Sequence, residues 1–162
     1  MTLRELQLFA LEIMKEVHQF CVKNDIVYSL LDGSLIGAIR HQGFIPWDDD
    51  IDIVLRRPDY ELFCKTYKSD RYKLKCREND PNCMVPFARV YDDQETTITT
   101  TAPWCKDKVG VWIDVIPADA VLDDVESFGK YYAKSRKLWQ YSASARTALC
   151  PYIWSKPLKY NI

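Results

Sequence analysis

Four carboxylates within five positions mark residues 48–52, which read Asp-Asp-Asp-Ile-Asp. Like charges at this spacing repel one another, so folding alone does not favour the pattern. If residues 50–55 form a strand, Asp50 and Asp52 point to one face, about 7 Å apart at Cα, and the isoleucines point into a core. Two carboxylates on one face can bind a hard divalent cation through oxygen. The alternative is an acidic turn with capping roles, which is what most aspartate clusters are.

A strand–turn–helix pattern precedes these aspartates. Residues 26–31 are apolar and partly β-branched, which predicts a strand. Gly33 supplies a turn residue and Ser34 a good N-cap for a short helix. Backbone N–H groups at the start of such a helix can hold a phosphate, although most Gly-Ser pairs are only turns. A Gly-Ser turn, a short helix and then Asp-Ile-Asp on a strand together resemble the nucleotidyltransferase superfold, in which the turn holds a nucleotide phosphate and the aspartates hold magnesium.

The resemblance narrows to one family. Residues 33–53 read GSLIGAIRHQGFIPWDDDIDI and resemble the signature of the LicD family of phosphorylcholine transferases and their fukutin-type relatives. Residues 110–119, GVWIDVIPAD, resemble the family's later strand with its aspartate. The similarity covers roughly residues 5–120. It implies a nucleotidyltransferase-like fold, a mechanism that uses Mg²⁺ or Mn²⁺, and a nucleotide-linked donor. Family members are usually longer, so we expect that their C-terminal region is missing after residue 162.

Three aspartates are the candidate catalytic residues and metal ligands, namely Asp50, Asp52 and Asp114. Asp114 lies between apolar residues of a predicted strand, where a lone carboxylate is costly unless it is paired or metal-bound. Its alternative role is that of a satisfied aspartate at a strand end. Asp48 and Asp49 are expected to support the site from behind the ligands, with Asp48 orienting the loop.

Five residues are candidates for binding the nucleotide or substrate. Gly33 and Ser34 are expected to hold donor phosphate. Arg40, at the end of the short helix, could bind phosphate or simply favour the negative end of the helix dipole. Trp47 could stack on a base or a choline-like head group, or anchor its loop in the core. Arg89, in a predicted strand, could contact donor phosphates or pair with an aspartate of the cluster.

The resemblance implies transfer of a phospho-alcohol group, such as phosphocholine, from a CDP-linked donor such as CDP-choline to a hydroxyl of a cell-surface glycan, for example teichoic acid or lipopolysaccharide. Two alternatives stay open. One is a nucleotidyltransferase that moves a nucleotide onto a small molecule or protein. The other is a catalytically incomplete fragment that acts as a binding module. Release of CMP from any of a panel of CDP-alcohols distinguishes the phospho-alcohol transferase from both alternatives.

The charge distribution and the cysteine content limit the partners, metals and compartment that we expect. Residues 125–162 carry seven basic residues and one acid, a net charge of +6, whereas the other 124 residues carry −7. The basic segment could contact an anionic acceptor or a membrane surface, or serve only solubility. We expect no nucleic-acid partner. The six cysteines include no C-x-x-C pair, so a zinc site is not expected. No signal peptide or long apolar run is evident, so we expect a cytoplasmic protein with free thiols, which could act at the inner membrane surface.

The remaining pattern predicts a single α+β domain of 162 residues. A capping box at Thr2 begins a helix over 3–23, Pro58 begins another that ends near residue 67, and a basic helix covers 124–149 with a loosely held tail after it. Pro117 is expected to end the last strand. The predicted strands are 26–31, 50–55, 72–76, 86–91, 95–100 and 109–116. We expect one mixed, nucleotidyltransferase-like central sheet with helices packed mainly on one face.

Overall fold

The structure is a computed structural model that describes residues 1–80, 83, 85–97 and 110–149, the last eight of them as helix backbone alone. Its elements, in chain order, are α1 (Leu3–Lys23), β1 (Tyr28–Leu30), α2 (Asp32–His41), β2 (Asp52–Arg56), α3 (Arg57–Thr66), β3 (Tyr72–Lys75), β4 (Ala88–Asp92), β5 (Trp112–Ala118) and α4 (Val125–Leu149). The predicted α+β class is confirmed. Among the described residues, no helix combines the length and apolarity needed to cross a bilayer.

Helix α1 begins with the predicted capping box. The Thr2 hydroxyl accepts a hydrogen bond from the Glu5 amide at 3.3 Å, and the Glu5 carboxylate accepts one from the Thr2 amide at 2.6 Å. Apolar residues at helical spacing then form a single buried stripe along the helix, as the periodicity predicts. Its buried apolar residues are Leu6, Ala10, Ile13, Met14, Val17 and Cys21.

Five strands form one mixed sheet in the order β1-β2-β5-β4-β3. Strands β2 and β5 are parallel, and the other neighbouring pairs are antiparallel. Because β2 and β5 lie side by side although three elements separate them in sequence, the chain brings its two aspartate motifs together at the centre of the sheet.

The register of the sheet separates an apolar face from a polar one. Ile53 pairs with Val115, and Val115 pairs with Ala88, so these three share the face that packs against α1 and α3. All three are fully buried. Residues that alternate with them lie on the opposite face. That opposite face carries Asp52 and Asp114.

Three predictions about the strands are wrong. Strand β2 begins at Asp52, so Asp50 lies in the preceding loop and the two aspartates do not alternate along one strand. Pro117 lies inside β5 and does not end it. Strand β4 begins at Ala88, opposite Val115, so Pro117 pairs only with β2, and a proline is tolerated where a strand has one neighbour. The predicted strand 95–100 is absent over 95–97, and 98–100 lie outside the described residues.

Candidate active site

A row of charged side chains crosses the centre of the sheet on its polar face. Asp52 of β2 pairs with Asp114 of β5, and Asp114 pairs with Arg89 of β4. Neighbouring strands lie about 4.8 Å apart, so these two carboxylates are close neighbours. The Asp114 amide donates to the Ile51 carbonyl at 2.9 Å, which extends the parallel pairing by one residue. Two of the three predicted catalytic aspartates therefore meet because β2 and β5 pair in this register.

The loop before β2 brings a second set of carboxylates together. One oxygen from each of Asp48, Asp49 and Asp50 lies within 4.8 Å of the other two. The predicted trio of Asp50, Asp52 and Asp114 is not such a group among the described residues. The acidic site thus has two parts, a loop triplet and a strand pair, and Asp50 is the triplet residue whose charge acts on both Asp52 and Asp114.

Helix α2 begins earlier than predicted, at Asp32, with Leu31 as its N-cap. The prediction that Ser34 caps the helix is wrong, because Ser34 lies within the first turn. Its hydroxyl instead accepts a hydrogen bond from the Asp52 amide at 2.9 Å, and the Leu31 amide donates to the Asp52 carbonyl at 3.0 Å. Ser34 therefore ties the start of α2 to the first residue of β2. The amides of the first helical turn lack partners within the helix and are the donors that a phosphate would use.

Gly33 leaves room for the Asp48 carboxylate, and its backbone conformation does not itself need a glycine. A Cβ atom at this position would lie 2.5 Å from the Oδ2 atom of Asp48. The helix start therefore packs directly against the acidic loop, and any larger residue at Gly33 must displace the Asp48 carboxylate. The predicted phosphate-binding turn and the predicted acidic cluster are one contiguous surface.

Arg89 pairs with Asp114, as one of its two predicted roles requires. Its Nε atom donates to the Asp114 Oδ1 atom at 2.7 Å, and both side chains are largely buried. Its guanidinium carbon lies 4.6 Å from the centroid of the Trp112 ring and 5.6 Å from that of Phe87. The two rings and the carboxylate orient the guanidinium, which places one positive charge beside the acidic residues.

Arg40 and Trp47 are both exposed, and phosphate binding by Arg40 stays a prediction. Arg40 is exposed in the last turn of α2, about 9 Å along the helix from Ser34, where its charge favours the helix dipole. Trp47 is 78% exposed, so the prediction that it anchors its loop in the core is wrong. An exposed indole next to the acidic loop is available to a ligand.

Burial and mutual repulsion both hinder ionisation of the acidic residues. Burial raises the pKa of Asp52 to about 7, with further increases from the neighbouring carboxylates, Asp50 first. Burial raises the pKa of Asp50 to about 6, and Asp48 adds to the increase. The pKa of Asp114 is also raised by burial, while Arg89 acts in the opposite direction. Without a cation, the site therefore retains protons at pH values where ordinary aspartates have lost them.

Two residues near the site were not predicted. Gln7 of α1 is only 4% exposed, and its side-chain amide donates to the carbonyls of Ile45 and Asp48 at 3.3 and 2.8 Å. It fixes the acidic loop from the core side, and its signal in the sequence was a polar residue within the apolar stripe of α1. Asp32 has a positive φ of 45° at the start of α2, and its charge raises the pKa of Asp52. Its signal was its position directly before Gly33.

The donor set fits a hard divalent cation. Carboxylate oxygens are the ligands that Mg²⁺ and Mn²⁺ prefer. The Oδ2 atom of Asp48 is buried and has no hydrogen-bond partner among the described residues, so it is an acceptor without a donor. Asp48, Asp49 and Asp50 could hold such an ion together, beside the strand pair of Asp52 and Asp114, of which Asp114 is partly neutralised by Arg89.

Comparison with known proteins agrees with this geometry. The family model described as LicD/FKTN/FKRP, nucleotidyltransferase domain, matches residues 25–118. The chain is 48% identical over 96 residues to the lipopolysaccharide cholinephosphotransferase LicD of Haemophilus influenzae, a match that covers 57% of this chain and 36% of that protein. It is 39% identical over 67 residues to an uncharacterised protein of Rickettsia typhi, covering 40% of this chain and 22% of the relative. The matched region thus spans about a third of the length of the Haemophilus relative.

Proposed function

Because the chain belongs to the LicD family, we propose that it is a phosphotransferase that moves a phospho-alcohol group, such as phosphocholine, from a CDP-linked donor to a hydroxyl of a cell-surface glycan. The name of the Haemophilus relative supports phosphocholine as the transferred group and lipopolysaccharide as the class of acceptor. The observation that carries the proposal is the pairing of Asp52 with Asp114 beside the carboxylate triplet of residues 48–50.

We propose Mg²⁺ or Mn²⁺ as the cofactor, held by Asp50 and Asp52 with Asp48 or Asp114 completing the oxygen ligands. When bound, the cation would neutralise the charge that concentrates on the oxygens of the group in transfer. The amides at the start of α2 would bind donor phosphate, and the exposed Trp47 ring would contact the base or the choline head group.

The chemical step then follows from the proposed donor. The oxygen of the acceptor hydroxyl attacks the donor phosphorus that carries the alcohol, such as choline. The bond between that phosphorus and the bridging oxygen of CMP breaks, and CMP leaves with the bonding electrons. The hydroxyl proton passes to one aspartate carboxylate of the site. Arg89 holds the Asp114 carboxylate in place throughout and prevents repulsion among the aspartates from opening the site.

We also propose that the chain acts on the cytoplasmic side of the inner membrane and touches its surface through α4. This helix carries five basic residues, Lys130, Lys134, Arg136, Lys137 and Arg146, against the single acid Glu126. Basic residues of this density are attracted to anionic lipid head groups. Sedimentation with vesicles of anionic lipid and with vesicles of neutral lipid tests membrane binding. Equal binding to the two kinds of vesicle, or binding to neither, contradicts the proposal.

The deciding experiment is an assay of CMP release. The chain is incubated with Mg²⁺, CDP-choline or another CDP-alcohol, and a glycan acceptor, and CMP is measured by chromatography. We expect CMP to appear with acceptor and metal, and to disappear with EDTA or with Asp52→Asn. Pyrophosphate release from a nucleoside triphosphate, with the nucleotide joined to the acceptor, supports the nucleotidyltransferase alternative. CDP-choline binding without turnover supports the binding-module alternative.

A further inference from the structure

A second group of metal-ligating side chains lies away from the acidic residues, near the edge strand β3. Cys64 lies in α3, Cys76 directly follows β3, and Glu78 lies in the turn that comes next. The two Sγ atoms and a Glu78 carboxylate oxygen all lie within 4.8 Å of one another. Eleven residues lie between the cysteines in sequence, so no spacing motif indicates the group, which is why the sequence alone did not predict a zinc site.

The turn that carries two of these ligands is fixed by its own hydrogen bonds. The Cys76 amide donates to the Asn79 Oδ1 atom at 2.9 Å, and the Asn79 side-chain amide donates to the Leu74 carbonyl at 2.9 Å. The Cys76 carbonyl accepts from the Asp80 amide at 2.9 Å. The backbone on both sides of Glu78 is therefore set, so the turn itself places this residue next to the two cysteines.

The three side chains differ in solvent exposure: the two cysteines are buried and the glutamate is at the surface. Cys76 is fully buried and Cys64 is 8% exposed, whereas Glu78 is exposed. A buried cysteine usually behaves as a small apolar residue, as Cys21 does in the core. Cys64 and Cys76 differ from Cys21 because their sulfurs converge on each other and on a carboxylate that reaches solvent. An ion could enter past Glu78 and bind both sulfurs.

We propose that Cys64, Cys76 and Glu78 form a binding site for a thiophilic divalent cation of the zinc class, which ties α3 to the turn after β3. Tetrahedral zinc has bonds of about 2.3 Å to sulfur and about 2.1 Å to oxygen, which places its ligand atoms roughly 3.5–3.8 Å apart. The observed limit of 4.8 Å permits this with small side-chain shifts. Binding releases one proton from each thiol, and water takes the fourth position. Thiolate ligands exclude Mg²⁺, so this site does not depend on the proposed transferase function.

The test is a spectroscopic titration that requires no activity. The reduced, metal-free chain is titrated with Cd²⁺, whose thiolate complexes absorb in the ultraviolet, and with Co²⁺, whose visible bands report tetrahedral geometry. We expect one equivalent of Cd²⁺ per chain to give the thiolate band, Zn²⁺ to displace Co²⁺ and remove its visible bands, and excess Mg²⁺ to leave both spectra unchanged. Absence of the band at equimolar Cd²⁺ overturns the proposal. The proposal is also overturned if the reduced chain binds no Cd²⁺ and mild oxidation joins Cys64 and Cys76 in a disulfide.

Variants assign the band to these residues. Cys64→Ala with Cys76→Ala should abolish it, while Cys105→Ala with Cys150→Ala should keep it; the reverse result overturns the proposal. If the first pair fails to fold, Glu78→Gln decides, because Glu78 is exposed and the fold does not depend on its charge. We expect Glu78→Gln to weaken Cd²⁺ binding at least about 10-fold, and Glu61→Gln, an exposed residue of α3, to leave it unchanged. Equal affinities for the two variants contradict the role of Glu78.

Discussion

Asp52 and Asp92 are both strand aspartates, but their surroundings differ. Asp92, at the end of β4, is fully buried, and its Oδ2 atom accepts hydrogen bonds from the Thr96 amide and hydroxyl, both at 2.6 Å, and from the Glu95 amide at 3.1 Å. Asp52 is partly buried, and the charged groups that act on it are other carboxylates: Asp50, Asp114, Asp32 and Asp48.

Asp92 is an aspartate that stabilises the fold, whereas Asp52 and the carboxylates around it destabilise the fold. Four donors compensate the charge of Asp92, the fourth being the Gln94 amide, which donates to the Oδ1 atom at 3.4 Å, and together they hold the turn after β4 in place. Repulsion around Asp52 destabilises the folded chain until a proton or a cation arrives. A protein that retains such a cluster at the centre of its sheet gains nothing for folding, and this is the physical argument for a binding role of Asp52.

The largest expected effect is on turnover by Asp52→Asn. Removal of this charge should lower CMP release by about 10³-fold or more, because electrostatic stabilisation is the main catalytic device in such transfers. In EDTA the melting temperature should stay unchanged or rise. Mg²⁺ should stabilise the wild-type chain by mass action and fail to stabilise the variant. Thermal melts of both proteins with and without Mg²⁺ decide the matter, and a metal-dependent shift that survives the substitution contradicts the assignment.

Asp92→Ala should give the opposite result. Loss of this buried acceptor leaves the amides of residues 94–96 without their partner, which should cost about 2–4 kcal/mol, or roughly 5–10 °C in melting temperature, with or without Mg²⁺. Activity should fall only with the folded fraction. The control is Asp93→Ala, an exposed neighbour, which should change stability by less than about 0.5 kcal/mol. Equal melting temperatures for the two variants contradict the structural role of Asp92.

Gly33→Ala probes the contact between α2 and the acidic loop. Alanine suits a helix better than glycine by about 1 kcal/mol, so the fold should tolerate the change. The added Cβ would displace the Asp48 carboxylate, so Mg²⁺ affinity, measured by calorimetry, should fall about 10-fold. Gly129→Ala in α4 is the matched control, since a Cβ there meets nothing within 4 Å. If both variants bind Mg²⁺ like the wild type, Asp48 is not a ligand.

The smallest expected effect is on the pH dependence of stability. Because the pKa of Asp52 is raised from 3.8 to about 7, the folded chain binds more protons than the unfolded chain between those values. In EDTA, the stability that this group contributes therefore falls steadily as the pH rises from about 4 to about 7, so the chain should be more stable at pH 5 than at pH 8. Allowing for solvent screening, the difference is about 1 kcal/mol, or roughly 2–4 °C. Melts of wild type and Asp52→Asn at both values test it, and parallel curves would disprove the repulsion.

Local patterns in the sequence were sufficient for several elements. The capping box at Thr2 and the apolar stripe that follows predicted α1 to the residue, because both depend on contacts within a few turns of helix. Pro58 correctly marked the start of α3. The boundary errors occurred where the deciding contact comes from elsewhere in the chain. Asp50 was assigned to β2, yet the first β2 residue paired with β5 is Asp52.

The acidic cluster and its family resemblance could be read directly from the sequence, because charge repulsion among neighbours and the order of a long motif are properties of the chain itself. Only the tertiary structure decided which groups those charges meet. The parallel register of β2 and β5 sets Asp52 beside Asp114, and the antiparallel register of β4 brings Arg89 to the same row. The side chain of Gln7 holds the loop from α1, some forty residues away. Such contacts depend on how packed elements align, which no local pattern of residues encodes.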